Sequence, residues 1–507
     1  MKKNLLIILL LFTIICAGCN TNNKAEVIDG FSINKYVFEE TENIIVKTSD
    51  YGKGYYIGIF NINSEPGKSG GYRKKALNDE DKEYIFKASD LRGSGEYNIF
   101  LYQKTTNVIV KKEVIKILTS DTNDYKITNA SYVSSINDGV NISGVKITPT
   151  TIANDGLTYR LYWANNNQRL NDYKAIKVVQ INSQEEFEVK FNDCMFTPSE
   201  VTQIEVEVFE GRSTSYFLDI DDSLKLPSSN YLFNFQVMSD VHLDNEYSFN
   251  HHANHLTSAI NEIKSLSDKT KGVFFVGDLS NFGNDGNYEF LIKMFNKLNP
   301  DNELNINFII GNHECQYYDS FEIAKEKFLN FAKRDNVYTS IEIEGIKFIF
   351  LGQENVTTHG QMTNEQVEWF EKEIEKTDKS KPTFIFMHQP LSDTVNGSFS
   401  GQGNSGMGNV SSKLKSILKK YPNAYMFSGH SHRTPDLEQT AVYGKGANAT
   451  FVNTGSLGYL LGLNDEEIGG SSGLFVEVYS DYIVIKARNF LDEKWYGSSQ
   501  YVFPIVK

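Results

Sequence analysis

Cysteine is scarce in this 507-residue chain: Cys16, Cys19, Cys194 and Cys315 are too few and too scattered for a disulfide framework or a four-thiolate zinc site. Basic charge is short as well. The 50 Lys+Arg face 64 Asp+Glu, a formal net charge of −14, and binding to a nucleic-acid duplex through phosphate neutralisation is not expected of such a chain. The apolar run from Leu5 to Ala17 is too short to cross a bilayer, which takes about 20 residues. Histidine is missing from the first 241 residues, and all nine lie between His242 and His432. Metal or acid–base chemistry therefore has to be sought in the C-terminal half.

What is present is a folding composition. With 40% apolar, 22% charged and 13% aromatic residues the chain is far too rich in ring side chains to stay disordered. Its length allows two to four domains at roughly 100 to 200 residues each. An acidic protein can still handle phosphates where metal ions supply the positive charge.

The N-terminus reads as a targeting segment. Lys2 and Lys3 precede the Leu5 to Ala17 run in the order of a charged and an apolar region of a signal peptide. Cys16-Ala17-Gly18-Cys19 resembles the bacterial lipobox, with Cys16 where Leu is usual. The resemblance implies a lipoprotein signal peptide over residues 1–18, lipid on Cys19, a tether over 19–25, and an extracytoplasmic, membrane-anchored lipoprotein of a bacterium.

Residues 26–118 and 122–227 carry short runs of alternating polarity, such as Asn43-Ile44-Ile45-Val46-Lys47-Thr48 and Ile204-Glu205-Val206-Glu207-Val208-Phe209, separated by Gly, Ser, Asn and Asp clusters. Period-two runs of this kind predict half-buried antiparallel strands. The spacing fits two β-sandwiches, the first immunoglobulin-like and the second fibronectin-like. Neither carries a chemical constellation, and they are expected to serve as stalks or as modules contacting cell wall, carbohydrate or protein. Asp221 to Asn230, with Pro227 inside, is the expected linker.

From Tyr231 the texture changes to α/β, and it holds to residue 507. Apolar runs end in polar clusters: Tyr231–Met238 in Ser239-Asp240-Val241-His242, Val273–Val276 in Gly277-Asp278-Leu279-Ser280-Asn281, Ile306–Ile310 in Gly311-Asn312-His313-Glu314, Thr383–Met387 in His388-Gln389-Pro390, and Ala424–Phe427 in Ser428-Gly429-His430-Ser431-His432. Strand carboxyl ends are where ligand sites collect in such sheets. Thr363-Asn364-Glu365-Gln366 predicts a capping box opening a helix over Val367 to Lys376.

DxH, GDxxN, GNHE, a single His and GHxH, in that order, resemble the calcineurin-like metallophosphoesterases over about residues 231–490. The resemblance implies α-β-β-α layers with two packed mixed sheets and two metal ions, Mn, Fe or Zn. Asp240, His242 and His432 would hold one ion, Asn312, His388 and His430 the other, and Asp278 would bridge them. Carboxylate, imidazole and amide donors suit these metals. A metal-bridging hydroxide would attack phosphorus, Asn312 and His313 would bind the substrate, His313 would protonate the leaving oxygen, and Glu314 would orient and charge its imidazole.

Two departures narrow the resemblance. Purple acid phosphatases place a Tyr three residues after the bridging Asp, where this chain has Asn281, and only about 75 residues follow His432, too few for a large C-terminal substrate domain. Substrate choice is left to loops near the site. His251, His252 and His255 read as exposed helix-start residues, and the glycine-rich Asn396–Gly406 segment as a lid or a plain connection. Asn453-Thr454-Gly455-Ser456 reads as a turn beside the site or a plain turn. Three functions fit: hydrolysis of phosphate mono- or diesters at the cell surface, hydrolysis of phospholipid or cell-wall polymer diesters, or binding by an envelope protein with an inactive phosphatase fold. A remnant should have lost ligands, and none of the metal-ligand positions is missing.

Overall fold

A computed structural model of the chain describes residues 31–507 apart from short segments, the longest being 119–126, 136–140, 150–156, 209–213 and 245–250. The expected signal peptide, Cys19 and the tether lie outside the described residues. No helix among the described residues is long and apolar enough to cross a membrane.

The N-terminal region is all-β, as its alternating pattern predicts. In residues 31–118 a three-stranded sheet (Phe31–Ile33, Asn43–Thr48, Glu83–Lys87) faces a five-stranded one (Val37–Glu39, Ile109–Leu118, Gly95–Gln103, Tyr55–Asn61, Gly71–Ala76). Every second residue points inward: Tyr84 and Phe86 are buried while Ile85 between them is 44% exposed. Ile44, Val46 and Phe86 from one sheet meet Ile57, Ile99 and Ile115 from the other. The second sandwich packs around Trp163, Tyr159, Val145 and Val206.

The sandwiches are not free stalks. Trp495 N donates to Asp172 O at 2.7 Å, Lys174 N to Trp495 O at 2.8 Å, and Val502 N to Cys194 O at 2.9 Å, so the second sandwich continues the backbone bonding of the last C-terminal strand. Trp163 Nε1 reaches Gly497 O at 3.1 Å. The first sandwich joins through Lys112, which pairs with Asp492, and through Lys116, whose Nζ lies 2.9 Å from Glu207 of the second sandwich. A cavity of about 60 Å³ remains at this junction, lined by Glu65, Lys112, Lys174, Asp436, Asp492 and Tyr496 among others.

The C-terminal region carries strands β1 (Tyr231–Met238), β2 (Thr270–Val276), β3 (Ile306–Ile309), β4 (Thr339–Ile343), β5 (Ile346–Leu351), β6 (Thr383–Met387), β7 (Ala424–Ser428), β8 (Ala441–Tyr443), β9 (Thr450–Asn453), β10 (Ser472–Tyr479), β11 (Tyr482–Asn489) and β12 (Lys494–Pro504). Its helices are α1 (His251–Leu266), α2 (Asp285–Leu298), α3 (Phe321–Ala332), α4 (Asn364–Ile374) and α5 (Ser411–Leu418). One sheet runs β3-β2-β1-β10-β11-β12, the other β4-β5-β6-β7-β9-β8. In the first, β1, β2 and β3 are parallel; in the second, β5, β6, β7 and β9 are parallel.

Phenylalanine fills the space between the sheets. Phe235 meets Phe274, Phe348 and Phe384 with ring centroids 5.5, 5.2 and 4.7 Å apart, and Phe274 stacks on Phe386 at 4.7 Å. Each fully buried ring contributes on the order of 2 kcal/mol relative to exposure. Helices α1, α2 and α3 cover the outer face of the first sheet, and α4 and α5 that of the second. This gives the α-β-β-α layering.

The capping box of α4 forms only in part. Thr363 Oγ1 accepts from Gln366 N at 3.2 Å, but the Gln366 side chain bonds Gly352 N and O at 3.0 and 2.9 Å. Thr363 N donates to Glu354 Oε2 at 2.6 Å instead. A buried Gln366 finds two backbone partners on the end of β5, which the helix-start pattern does not foresee.

Candidate metal centre

Five strand ends converge. Asp240 and His242 follow β1, Asp278 follows β2, Asn312 follows β3, His388 follows β6, and His430 and His432 follow β7. Each of these side chains is buried. Asp240 Oδ1 lies 3.1 Å from His432 Nε2, which is 3.1 Å from His242 Nε2. Next to them His388 Nε2 lies 3.0 Å from Asp278 Oδ2 and 3.1 Å from Asn312 Oδ1. The potential ligand atoms of Asp240, His242 and His432 fall within 4.8 Å of one another, as do those of Asp278, His388 and His430, and those of His242, Asp278 and His313.

The backbone bends to achieve this. Asp240, His242, Asp278, His430 and His432 all have φ between +50° and +67°, the left-handed region, at a cost on the order of 1 kcal/mol each. Hydrogen bonds across the strand ends hold the bends: Asp240 N to Gly277 O at 3.0 Å, His242 N to Asp278 O at 3.1 Å, and Gly429 N to His388 O at 3.0 Å. Two glycines are required by close approach. A Cβ on Gly277 (φ +84°) would sit 2.5 Å from His388 Cγ, and one on Gly429 would sit 2.4 Å from Asp240 Oδ2.

The imidazoles are aimed by backbone carbonyls, which only accept. His388 Nδ1 donates to Val276 O at 2.7 Å and His432 Nδ1 to Tyr459 O at 3.3 Å, which leaves both Nε2 atoms facing the centre. Burial, and then the neighbouring His432, hold His242 down at about 3; burial and His388 do the same to His430. These two rings are therefore neutral with lone pairs available. Burial alone would lower His388, but Asp278 and Asp240 raise it to about 9. Asp240 is held at about 2 and Asp278 lower still, because the imidazoles beside them outweigh their burial. The result is a buried pocket lined by carboxylate, amide and imidazole donors within reach of one another. Cations fit it.

Glu314 requires a correction. It does not touch the His313 ring, whose Nδ1 donates to Asn281 O at 2.9 Å. Its buried carboxylate instead accepts from the backbone N–H groups of Asp278 (2.9 Å), Gly311 (2.9 Å) and Ser280 (3.1 Å). Glu314 thus ties β2 to β3 behind Asp278, and burial together with Asp278 raises its carboxyl to about 7. The residue before a tight turn looks inward here because the turn has amides to satisfy.

The histidine cluster opens α1 as expected, but His252 and His255 are less exposed than expected. His255 is buried, with Nδ1 2.8 Å from Leu457 O and Nε2 3.5 Å from Glu65 of the first sandwich. His252 Nδ1 bonds His242 O at 2.9 Å. Both bond backbone carbonyls of the loops that carry the candidate ligands, His255 fully buried and His252 partly so. The Asn453–Ser456 turn also bonds one of these loops: Thr454 Oγ1 lies 2.6 Å from Ser239 Oγ, and Ser456 Oγ donates to Asp240 O at 3.1 Å. In the glycine-rich segment Gln402 Oε1 accepts from Gly397 N at 2.8 Å and Ser398 Oγ from Thr394 N at 2.9 Å, which pins its first part; residues 403–405 lie outside the described residues.

Sequence reasoning missed Tyr459 and Gln389. Tyr459 packs on His432 at 4.2 Å, and burial with Asp240 nearby pushes its hydroxyl to about 12. Gln389 Nε2 points to Asn312 Oδ1 at 3.4 Å and Gln353 Oε1 at 2.5 Å. The only sequence signal was the place of Gln389 directly after His388.

Residues 233–434 match the family model for calcineurin-like phosphoesterases. Among solved structures, a conserved uncharacterized protein from Streptococcus pneumoniae described as a predicted phosphoesterase is similar at 17% identity, covering 54% of this chain and 97% of its own, with a TM-score of 0.27. Vacuolar protein sorting 29 from Cryptosporidium parvum is similar at 11% identity over 55% of this chain and 100% of its own, TM-score 0.28. A two-domain fibronectin type III segment of chicken tenascin is similar at 11% identity over 38% and 98%, TM-score 0.16. No curated protein matches the chain. The family match and the two mixed sheets define the C-terminal region as a metallophosphoesterase domain.

Proposed function

We propose that this chain is a metal-dependent phosphoesterase that hydrolyses phosphate mono- or diesters at the outer surface of a bacterial membrane, where lipid on Cys19 would anchor it. The observation that carries the reading is the convergence of Asp240, His242, Asp278, Asn312, His388, His430 and His432 from five strand ends into one buried centre. Asp240, His242 and His432 would hold one ion, Asn312, His388 and His430 the other, with Asp278 shared. When bound, two such ions neutralise phosphoryl charge and make a hydroxide available near neutral pH.

The remaining work falls to protein side chains. His313 is half-buried at the rim. With Nδ1–H committed to Asn281 O, Nε2 is the ring atom left to face the leaving oxygen, and as an imidazolium His313 would pass the Nε2 proton to it. Asn312 and His313 form the substrate side of the centre. Glu314 acts through the backbone, fixing the amides around Asp278.

The test is hydrolysis of p-nitrophenyl phosphate and bis-p-nitrophenyl phosphate by the full chain, metal-stripped and then supplied with Mn, Zn or Fe, beside Asp278→Asn. Activity restored by metal in the wild type and absent from the variant supports the reading. A folded chain that binds no metal overturns it.

A further inference from the structure

The rim of the metal centre is chemically divided. On one side Gln316, Thr358 and Gln389 gather around Asn312: Asn312 Nδ2 donates to Gln316 Oε1 at 3.3 Å, and Thr358 Oγ1 to the same oxygen at 3.0 Å. On the other side stand rings. The His313 ring lies 4.5 Å from His242 and 5.8 Å from Tyr317, and Tyr317 meets Phe282 edge-on at 5.0 Å. Phe282 is 40% exposed and Tyr317 54%.

Single exposed apolar side chains need no explanation. Here two rings touch each other and one of them touches His313, so the exposed apolar area continues outward from the group that faces the leaving oxygen. The platform is also fixed in place. Phe282 N donates to Asn287 Oδ1 at 3.1 Å, Gln316 N to Asn312 O at 2.8 Å, and Tyr318 Oη to Gly283 O at 2.7 Å, which latches the Phe282 loop to the Tyr317 turn. Neither ring brings charge, and both offer π faces and edges.

We propose that Phe282 and Tyr317 form a leaving-group subsite for phosphate esters whose leaving group is a flat aromatic or heteroaromatic ring. The inference rests on the phosphoesterase reading and deepens it. A polyol or alkyl leaving group would leave both rings in water, whereas a flat ring stacked there removes apolar area on both partners.

Calorimetric titration of the metal-loaded full chain with phenylphosphonate, methylphosphonate and a nucleoside 5′-phosphonate reads the subsite without turnover. Phenylphosphonate is expected to bind roughly tenfold more tightly than methylphosphonate, the scale of one ring stack. The double variant Phe282→Ala/Tyr317→Ala should erase that ratio, and Tyr317→Phe should keep it. The nucleoside compound binding more tightly than phenylphosphonate would name a nucleobase as the ring, and the reverse order a simple aryl ester; both keep the subsite. Equal binding of the phenyl and methyl compounds, no binding of either, or a preference that survives in the double variant overturns it. A chain that keeps the aryl preference but hydrolyses no ester with any metal would leave the subsite standing and overturn the hydrolase reading.

Discussion

Glu314 Oε2 accepts a hydrogen bond from the backbone N–H of Asp278 at 2.9 Å, which places a fully buried carboxylate directly behind that aspartate. The same oxygen takes Gly311 N, and Oε1 takes Ser280 N. Glu314→Ala would strand three buried N–H groups, each costing about 1–3 kcal/mol. A Tm drop is expected, together with a loss of bound metal larger than in Glu314→Gln, which keeps one acceptor. Thermal unfolding and metal analysis of the two variants check this, and a Glu314→Ala chain as stable as the wild type would refute it.

Asp278→Asn removes the negative charge that the proposed reading places between two cations. Bound metal should fall below two ions per chain and phosphoesterase activity by at least about a hundredfold. Elemental analysis beside a p-nitrophenyl phosphate assay reads both effects.

His313→Asn should leave metal content near that of the wild type and lower turnover by roughly a hundredfold or more, the usual contribution of a general acid. The loss should be smaller for p-nitrophenyl esters, whose leaving oxygen needs little protonation, than for alkyl esters. An equal loss on both would argue against proton donation from Nε2.

Gly277→Ala should damage the centre out of proportion to its size. The residue sits at φ +84°, and the new methyl would fall 2.5 Å from His388 Cγ. Left-handed strain alone costs about 1 kcal/mol, and His388 must also move off Asp278 and Asn312. Metal affinity measured by competition with a chelator should fall further than Tm does.

Glu207 joins the two sandwiches, with Lys116 Nζ 2.9 Å and Arg169 Nη2 3.3 Å away. Burial would raise its carboxyl, but Arg169 and Lys116 outweigh this and hold it below the ordinary 4.5. The folded chain then binds this proton less readily than the unfolded one. The stabilisation is fully present above the unfolded value and fades as pH falls through the lower folded value. The Tm gap between wild type and Glu207→Gln should accordingly be widest near neutral pH and narrow on acidification; a gap independent of pH would count against the ion pair.

Much of the centre was legible because its donors obey a local rule. Each candidate ligand position lies within a few residues of the end of an apolar run, and an apolar run buried in a sheet is readable without knowing its neighbours. The fivefold recurrence of that pattern, from Asp240 to His432, then pointed to one edge of two sheets. The alternation at Tyr84, Ile85 and Phe86 was legible for the same reason, since the period of a strand is set by its own backbone.

What the sequence determined by itself, then, was the β-sandwich texture of the first half, the α/β texture of the second, and the residue types gathered at the strand ends. The tertiary structure alone decided that Glu314 turns to backbone amides instead of His313, that His255 is buried between Leu457 and Glu65, and that Trp163 reaches Gly497. It also decided that Phe282 and Tyr317 stand together beside His313. The reason is physical: strand period and apolar run length are properties of neighbours along the chain, whereas the partner of a buried polar group or an exposed ring is whichever distant segment the packing brings within a few ångströms.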